Sequence, residues 1–138
     1  MSHKEIYITD SDIRRLKDLI KTTREFKKED EKYLKELERE LERAHIIKSE
    51  DIPEGVITMN SKILLKDLDS KEEFVYWLVF PQDSDPDQNK ISILTPIGTA
   101  LLGYHVKDVI EWEVPAGITK LEVMKILYQP EAAGDYHL

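Results

Sequence analysis

Residues 91–117 read ISILTPIGTALLGYHVKDVIEWEVPAG, and this stretch predicts a strand, a short helix, a second strand and a turn. Thr95 can cap the helix with its hydroxyl, and Pro96 suits the first helical position because its φ is fixed and it lacks an amide donor. Gly103 can end the same helix. Beyond it, the run VIEWEV alternates apolar and acidic residues, which predicts a half-buried strand.

Strand candidates lie on both sides of this unit. Residues 74–80, FVYWLVF, are apolar on both faces and are predicted to form the central strand. The other candidates are residues 56–59, 63–68, 91–94 and 121–128, while residues 129–138 are predicted to form a loose tail. Strands before and after one short helix predict an α+β fold, with a small antiparallel sheet packed on that helix.

The N-terminal part begins with a strong helix start. Thr9 is the predicted N-cap, Asp12 falls at the third helical position, where its carboxylate can reach back, and Ile8 and Ile13 can form a hydrophobic staple. Two apolar stripes follow at helical spacing, the first through Ile13, Leu16 and Ile20 and the second through Leu34, Leu37, Leu41 and Ala44.

The two stripes fit either an antiparallel hairpin or one continuous coiled-coil helix. Residues 11–28 carry a net charge of +4 and residues 29–43 a net charge of −3, so two antiparallel segments would attract each other. Lys27 and Asp30 would interrupt a continuous seam, although no glycine or proline lies between Asp10 and Ile52. We therefore predict a short coiled-coil hairpin, with the single helix as the alternative.

A domain boundary is predicted where the helical pattern ends. The run HIIKSEDIPEG contains Pro53 and Gly55 and is predicted to be a linker, which divides the chain into a hairpin at residues 1–48 and a sheet domain at residues 49–138. Residues 44–138 carry a net charge of −8, which argues against independent binding to nucleic acid. No apolar segment resembles a membrane span or a signal peptide, so we expect a cytoplasmic protein.

Few residues offer chemistry. The chain has no cysteine, which excludes disulfides and thiolate ligands. The DSDPD loop at residues 83–87 begins like a calcium loop, but Gln88 replaces its glycine and Leu94 its bidentate glutamate. Four scattered histidines are predicted to be surface residues: His3, His45, His105 and His137. No phosphate-binding glycine-rich loop occurs. We predict no catalytic residue, no metal site and no cofactor.

The run ISILTPIGTALLG, followed by VIEWEVPAG, resembles the C-terminal domain of the Gre transcript-cleavage factors. The MNS segment at residues 59–61, the final run YQPEAAGDYHL and the short N-terminal helical region are similar to the Rnk branch, regulators of nucleoside diphosphate kinase. The resemblance covers nearly the whole chain. Lys107 stands where the family usually has glycine, which leaves the geometry of that turn open.

The resemblance implies an FKBP-like sheet domain, an N-terminal hairpin and two sites. The first matches the Ser-Pro-Ile motif with which Gre C-terminal domains bind RNA polymerase: Leu94, Thr95, Pro96 and Ile97. The second matches the acidic hairpin tip that enters the polymerase secondary channel in Gre factors and helps to hold a catalytic Mg²⁺: Glu25, Glu29, Asp30 and Glu31. An FKBP-type isomerase pocket is a weaker implication, since core packing better explains the aromatic residues Tyr76, Trp77, Trp112 and Tyr128.

The length of the arm separates the possible functions. An arm from residue 10 to residue 25 has about 16 residues and spans about 24 Å, which by resemblance is roughly half of a Gre hairpin. A tip that stops short cannot complete the polymerase active site, although carboxylates suit Mg²⁺. The alternative for the tip is a solvated turn neutralised by Lys27, Lys28 and Lys32.

These observations predict a binding protein and not an enzyme. We expect an RNA polymerase-binding regulator that docks near the secondary channel and competes with Gre factors without stimulating transcript cleavage. A monomer is expected, without sequence-specific binding to nucleic acid and without membrane association. The alternatives are a true cleavage factor with an active acidic tip, and a regulator of nucleoside diphosphate kinase that acts through another partner.

Overall fold

The computed structural model describes residues 6–26, 31–114 and 117–135, without the side chains of residues 112–114. The first elements are β1 (Tyr7–Thr9), α1 (Asp10–Phe26), α2 (Glu31–Arg43) and β2 (His45–Ile47). The sheet elements are β3 (Lys62–Asp67), β4 (Glu73–Val79), β5 (Lys90–Ser92), β6 (Val109–Val114) and β7 (Gly117–Tyr128). The two remaining helices are α3 (Pro96–Leu101) and α4 (Pro130–Ala133).

The first two helices form the predicted hairpin. Thr9 caps α1, because its Oγ1 accepts a hydrogen bond from the amide of Asp12 at 3.0 Å. Arg24 near the end of α1 bonds to Glu38 in α2 at 2.7 Å, which requires the chain to reverse between them. The apolar stripes are buried as expected, with Ile13, Leu16 and Ile20 on α1 and Leu34, Leu37 and Leu41 on α2. The alternative of one continuous helix is therefore wrong.

The predicted linker contains a strand. β2 pairs in parallel with β1, so that Tyr7 lies opposite His45 and Ile8 opposite Ile46. The amide of His45 also donates to the carbonyl of Ile6 at 2.9 Å. Each strand has three residues, too few for an alternating pattern to be visible in the sequence.

Among the described residues, the main sheet has five strands in the order β5-β4-β3-β7-β6. The central strand is therefore β3, and the prediction that residues 74–80 are central is wrong. The apolar side chains of Val75 and Trp77 caused the error, because they lie half-buried on the open face of the sheet. All pairs in this sheet are antiparallel except β4 with β5, which is parallel.

The α+β fold is confirmed, since α3 packs against the inner face of this sheet within one apolar core. The FKBP-like topology stays a prediction. Residues 56–59 do not form the expected strand. Val56 makes only an isolated bridge to His105, and the amide of Met59 donates to a carboxylate of α1.

The predicted loose tail is packed against the domain, at least as far as residue 135. Gln129 is 4% exposed, and its Nε2 donates to the carbonyls of Pro53 at 2.8 Å and Val56 at 2.7 Å. Thr58 donates through Oγ1 to Glu131 in α4 at 2.7 Å. Side-chain bonds hold this segment, so an apolar pattern could not reveal it.

The described core runs without interruption from the hairpin into the sheet. The buried cluster joins Leu16 of α1 and Leu37 of α2 to Ile63 and Val123 of the sheet. The cores of the two parts are therefore in contact and not separate. The boundary between residues 48 and 49 stays a prediction, which is tested by asking whether residues 49–138 fold alone. None of the helices in the described ranges is long and apolar enough to span a membrane.

Candidate functional site

The segment Leu94 to Ile97 joins β5 to α3. Pro96 is exposed, while Leu94 and Ile97 are half-buried and pack against the core. Thr95 is the N-cap and Pro96 the first residue of α3, as the sequence predicts. The four residues thus present an exposed proline ring between two apolar anchors.

Hydrogen bonds fix the shape of this segment. Thr95 Oγ1 donates to the carbonyl of Ser92 at 2.7 Å and accepts from the amide of Gly98 at 3.1 Å. Thr99 Oγ1 donates to the carbonyl of Ile93 at 2.8 Å. A Cβ at Gly98 would lie 2.3 Å from the carbonyl oxygen of Ser92, so glycine is required for this close approach. Three side-chain hydrogen bonds and this close approach therefore define the conformation of the turn.

The structure describes two residues of the predicted acidic tip, Glu25 and Glu31, while Glu29 and Asp30 lie outside the described residues. Arg24 donates through Nε to Glu31 at 2.9 Å and through Nη2 to Glu38 at 2.7 Å. The hydrogen bond from Arg24 lowers the pKa of the Glu38 carboxyl. One tip carboxylate is therefore paired with an arginine of the same hairpin, which it shares with Glu38.

No group of three His, Cys, Asp or Glu side chains in residues 6–26, 31–114 and 117–135 could hold a metal ion. In the calcium-like loop, the Asp85 carboxylate accepts the amide of Asp87 at 3.2 Å and so caps a short helical turn. His45 and His105 each lie beside the ring of Tyr7, with centroid distances of 5.5 and 5.3 Å. His3 and His137 lie outside the described residues.

The described rings among these aromatic residues lie in different surroundings. Tyr76 packs against the core, whereas Trp77 and Tyr128 meet with ring centroids 5.8 Å apart. The side chain of Trp112 lies outside the described part. A groove of about 720 Å³ runs between α1 and α2, and its lining includes none of these rings.

A buried polar contact at the base of the hairpin was missed by the sequence analysis. Asp12 is 1% exposed, and its Oδ2 accepts from the amide of Met59 at 3.0 Å while its Oδ1 accepts from Arg15. The Asp12 carboxylate thus links α1 to the backbone of the sheet domain. It does not reach back to the start of its own helix, although the sequence predicts that contact. Burial raises the pKa of Asp12 to about 6, against the opposing effects of the Met59 amide and Arg15.

The position of Asp12 in the sequence offered a partial signal. It lies directly beside the apolar residue Ile13, on the flank of the buried stripe. A polar group at such a position needs a partner. The partner is 47 residues away, however, and pattern alone does not reveal it.

Comparison with known proteins identifies both halves of the chain. Residues 52–128 match the family model "Transcription elongation factor, GreA/GreB, C-term", and residues 4–47 match "Rnk N-terminus". The chain is 45% identical over 103 residues to the Regulator of nucleoside diphosphate kinase of Escherichia coli, covering 74% of this chain and 76% of that protein. It is 37% identical over 91 residues to Transcription elongation factor GreA of Acetivibrio thermocellus, covering 66% of this chain and 57% of that protein.

A solved structure agrees with these matches. The prokaryotic transcription elongation factor GreA/GreB from Nitrosomonas europaea superposes with a TM-score of 0.75 at 38% identity, covering 90% of this chain and 100% of that one. The similarity thus includes the hairpin as well as the sheet. The chain belongs to the GreA/GreB family and combines its C-terminal domain with the Rnk N-terminal region.

Proposed function

We propose that this chain binds RNA polymerase near its secondary channel through the docking segment Leu94 to Ile97, and competes there with Gre factors without stimulating transcript cleavage. The observation that carries this proposal is the geometry of the segment. An exposed Pro96 stands on a turn fixed by Thr95, Gly98 and Thr99. A preformed surface loses little conformational entropy on binding.

The hairpin supports a binding role over a cleavage role. α1 has 17 residues. At 1.5 Å per residue this arm is about 25 Å long, close to the length predicted from the sequence. Arg24 forms an ion pair with Glu31. A short arm whose carboxylates are partly paired is poorly suited to deliver Mg²⁺ to a distant active centre. The protein would therefore occupy the channel entrance without taking part in hydrolysis.

The docking segment is tested by the substitution Pro96→Arg. We expect weaker binding to core RNA polymerase and a matching loss of competition with a Gre factor, at unchanged circular dichroism. Pro86→Arg is the matched control, because Pro86 is also exposed and also begins a short helical turn. Full binding by a folded Pro96→Arg variant would show that the contact lies elsewhere.

A second candidate function is the regulation of nucleoside diphosphate kinase through a different partner. It is favoured by the relative named Regulator of nucleoside diphosphate kinase, which matches 74% of this chain. A pull-down of the intact protein from lysate distinguishes the two. Recovery of RNA polymerase subunits supports the first function, and recovery of another complex without polymerase supports the second.

A further inference from the structure

The main sheet has an outer face that the proposed function does not use. Residues paired across neighbouring strands point to the same side of a sheet, so this face can be read from the register. Lys62 pairs with Trp77 on one side and with Tyr128 on the other, and Trp77 pairs with Lys90. These side chains form one row across four strands, in the order Lys90, Trp77, Lys62 and Tyr128, and all four are half-buried.

The lysines of the C-terminal part concentrate on this face. Residues 44–138 contain eight lysines and no arginine. Five of the eight lie on the outer face by register: Lys62, Lys66, Lys90, Lys120 and Lys125. Five of the eight lysines of this acidic part therefore share one face of the sheet, together with Glu73, Glu111 and Glu122.

Three glutamates of the outer face lie away from the row. Glu73 and Glu122 pair with Lys66, and Glu111 pairs with Lys120, all toward the other end of the strands. Lys125 pairs with the apolar Leu64 in the neighbouring row. Two carboxylates lie at the ends of the row: Asp85 is bridged to Lys90, and Asp135 accepts a hydrogen bond from the Tyr128 hydroxyl. That contact fixes the Tyr128 ring at the edge of the surface.

Aromatic rings and cations meet at the centre of the row. The rings of Trp77 and Tyr128 have centroids 5.8 Å apart, and Lys62 Nζ lies 5.5 Å from the centroid of the Trp77 ring. Aromatic faces stack with nucleic-acid bases of any sequence, and nearby lysines attract the phosphates as point charges. Arginine, whose planar fork suits carboxylates, is absent from residues 44–138.

We propose that the row formed by Lys90, Trp77, Lys62 and Tyr128, together with Lys125, is a weak and sequence-independent binding surface for single-stranded nucleic acid. The acidic remainder of the domain does not forbid this, because charges beyond about 8 Å are largely screened at physiological salt. The negative charge of the remainder does lower the affinity, and we expect that affinity to fall as salt is added. This surface goes beyond the proposed function and does not require polymerase binding.

The proposal is tested by fluorescence anisotropy with a labelled twelve-nucleotide oligo(dT) and the intact protein, starting at about 150 mM salt, where charges beyond about 8 Å are largely screened. We expect saturable binding that weakens with added salt, with a log–log slope of about −2 for three phosphate contacts. The double variant Lys62→Glu and Lys125→Glu is expected to lose about tenfold or more in affinity. Trp77→Leu should lose about fivefold or more with an unchanged salt slope, because it removes stacking and no charge.

The matched control carries the same charge change outside the sheet. Lys48 and Lys71 are both exposed and lie off the outer face, so Lys48→Glu with Lys71→Glu should keep affinity within about twofold. Equal losses in both double variants would overturn the proposal, since net charge alone would then explain binding. No binding by the unmodified protein would also overturn it, as would stronger displacement by poly-glutamate than by unlabelled oligo(dT), which would assign the surface to an acidic protein. Pro96→Arg should leave this binding unchanged.

Discussion

Different interactions stabilise the two ends of the hairpin: a buried hydrogen bond at the base and exposed ion pairs near the tip. At its base, the carboxylate of Asp12 is 1% exposed and bonds to the backbone of Met59 in the sheet domain. At its tip, Arg24 is 39% exposed and bonds to Glu31 and Glu38, which are 38% and 39% exposed. Buried polar contacts are costly to break, whereas exposed ion pairs contribute little. We therefore expect the contact at the base to stabilise the hairpin more than the ion pairs of Arg24 do.

This difference bears on function. Metal chemistry needs ligands that are held in place, whereas Glu31 is paired with Arg24 in an ion pair that is open to solvent. Hydrogen bonds from buried or partly buried side chains fix both the base of the hairpin and the turn at Thr95.

The largest effect is expected from Leu37→Asp, which disrupts the apolar packing between α1 and α2. Leu37 is 0% exposed, so the new carboxylate would be buried without a partner, at a cost of about 3 kcal/mol or more in free energy of unfolding. Urea denaturation followed by circular dichroism measures the loss. Lys35→Asp, at an exposed site of the same helix, should change stability by less than about 1 kcal/mol. Equal effects would show that the seam is not a core.

A second prediction concerns the base and its pH dependence. Burial raises the pKa of Asp12 from 3.8 to about 6, so between those values the folded protein binds this proton and the unfolded chain releases it. The contribution of Asp12 to the free energy of unfolding therefore falls as pH rises from about 4 to about 6, by up to about 3 kcal/mol. The difference between the unmodified protein and Asp12→Asn, measured by urea denaturation at several pH values, should show this fall.

The control for the base is Asp18→Asn, because Asp18 is an exposed carboxylate on the same helix. It should leave the pH profile nearly unchanged. A contribution of Asp12 that instead grows with rising pH would mean that its ionised form, paired with Arg15, stabilises the fold.

A stabilising substitution in the sheet domain, away from the hairpin, tests whether the hairpin and the sheet unfold together. Lys107 has φ +80°, in the left-handed region that glycine adopts without strain. Lys107→Gly should therefore raise the free energy of unfolding by about 0.5–1 kcal/mol. Because the core is continuous, the helix signal and tryptophan fluorescence should shift together in thermal denaturation. A shift in one signal alone would show that the hairpin and the sheet unfold separately.

The smallest effect is expected at the tip. Arg24→Ala removes two ion pairs that are open to solvent, so Tm should fall only slightly at low salt and hardly at all at high salt. Arg14→Ala, at an exposed position of α1, gives the baseline for losing an arginine there. A large loss that persists at high salt would mean that the tip is as firmly held as the base.

The features that could be predicted from the sequence are those that depend on residues close together in the chain. The cap at Thr95, the start of α1 at Thr9 and the two buried stripes all follow from side chains a few residues apart. Pattern did not predict contacts that depend on distant partners, such as Asp12 with Met59 or Gln129 with Pro53.

Two errors in the predicted strands have different causes. The run at residues 74–80 was mistaken for a central strand because an apolar outer face looks buried in a sequence. The strand β2 was missed because three residues show no periodicity. The docking segment and the acidic tip came from family resemblance, and their roles stay predictions.

The most direct test of the account is a transcript-cleavage assay on backtracked complexes of purified RNA polymerase with Mg²⁺. The account predicts that this protein binds the polymerase but does not shorten the transcript, and that replacing Glu29, Asp30 and Glu31 together with alanine leaves its competition with a Gre factor unchanged. Mg²⁺-dependent shortening of the transcript that the triple substitution abolishes would contradict the account and identify a true cleavage factor.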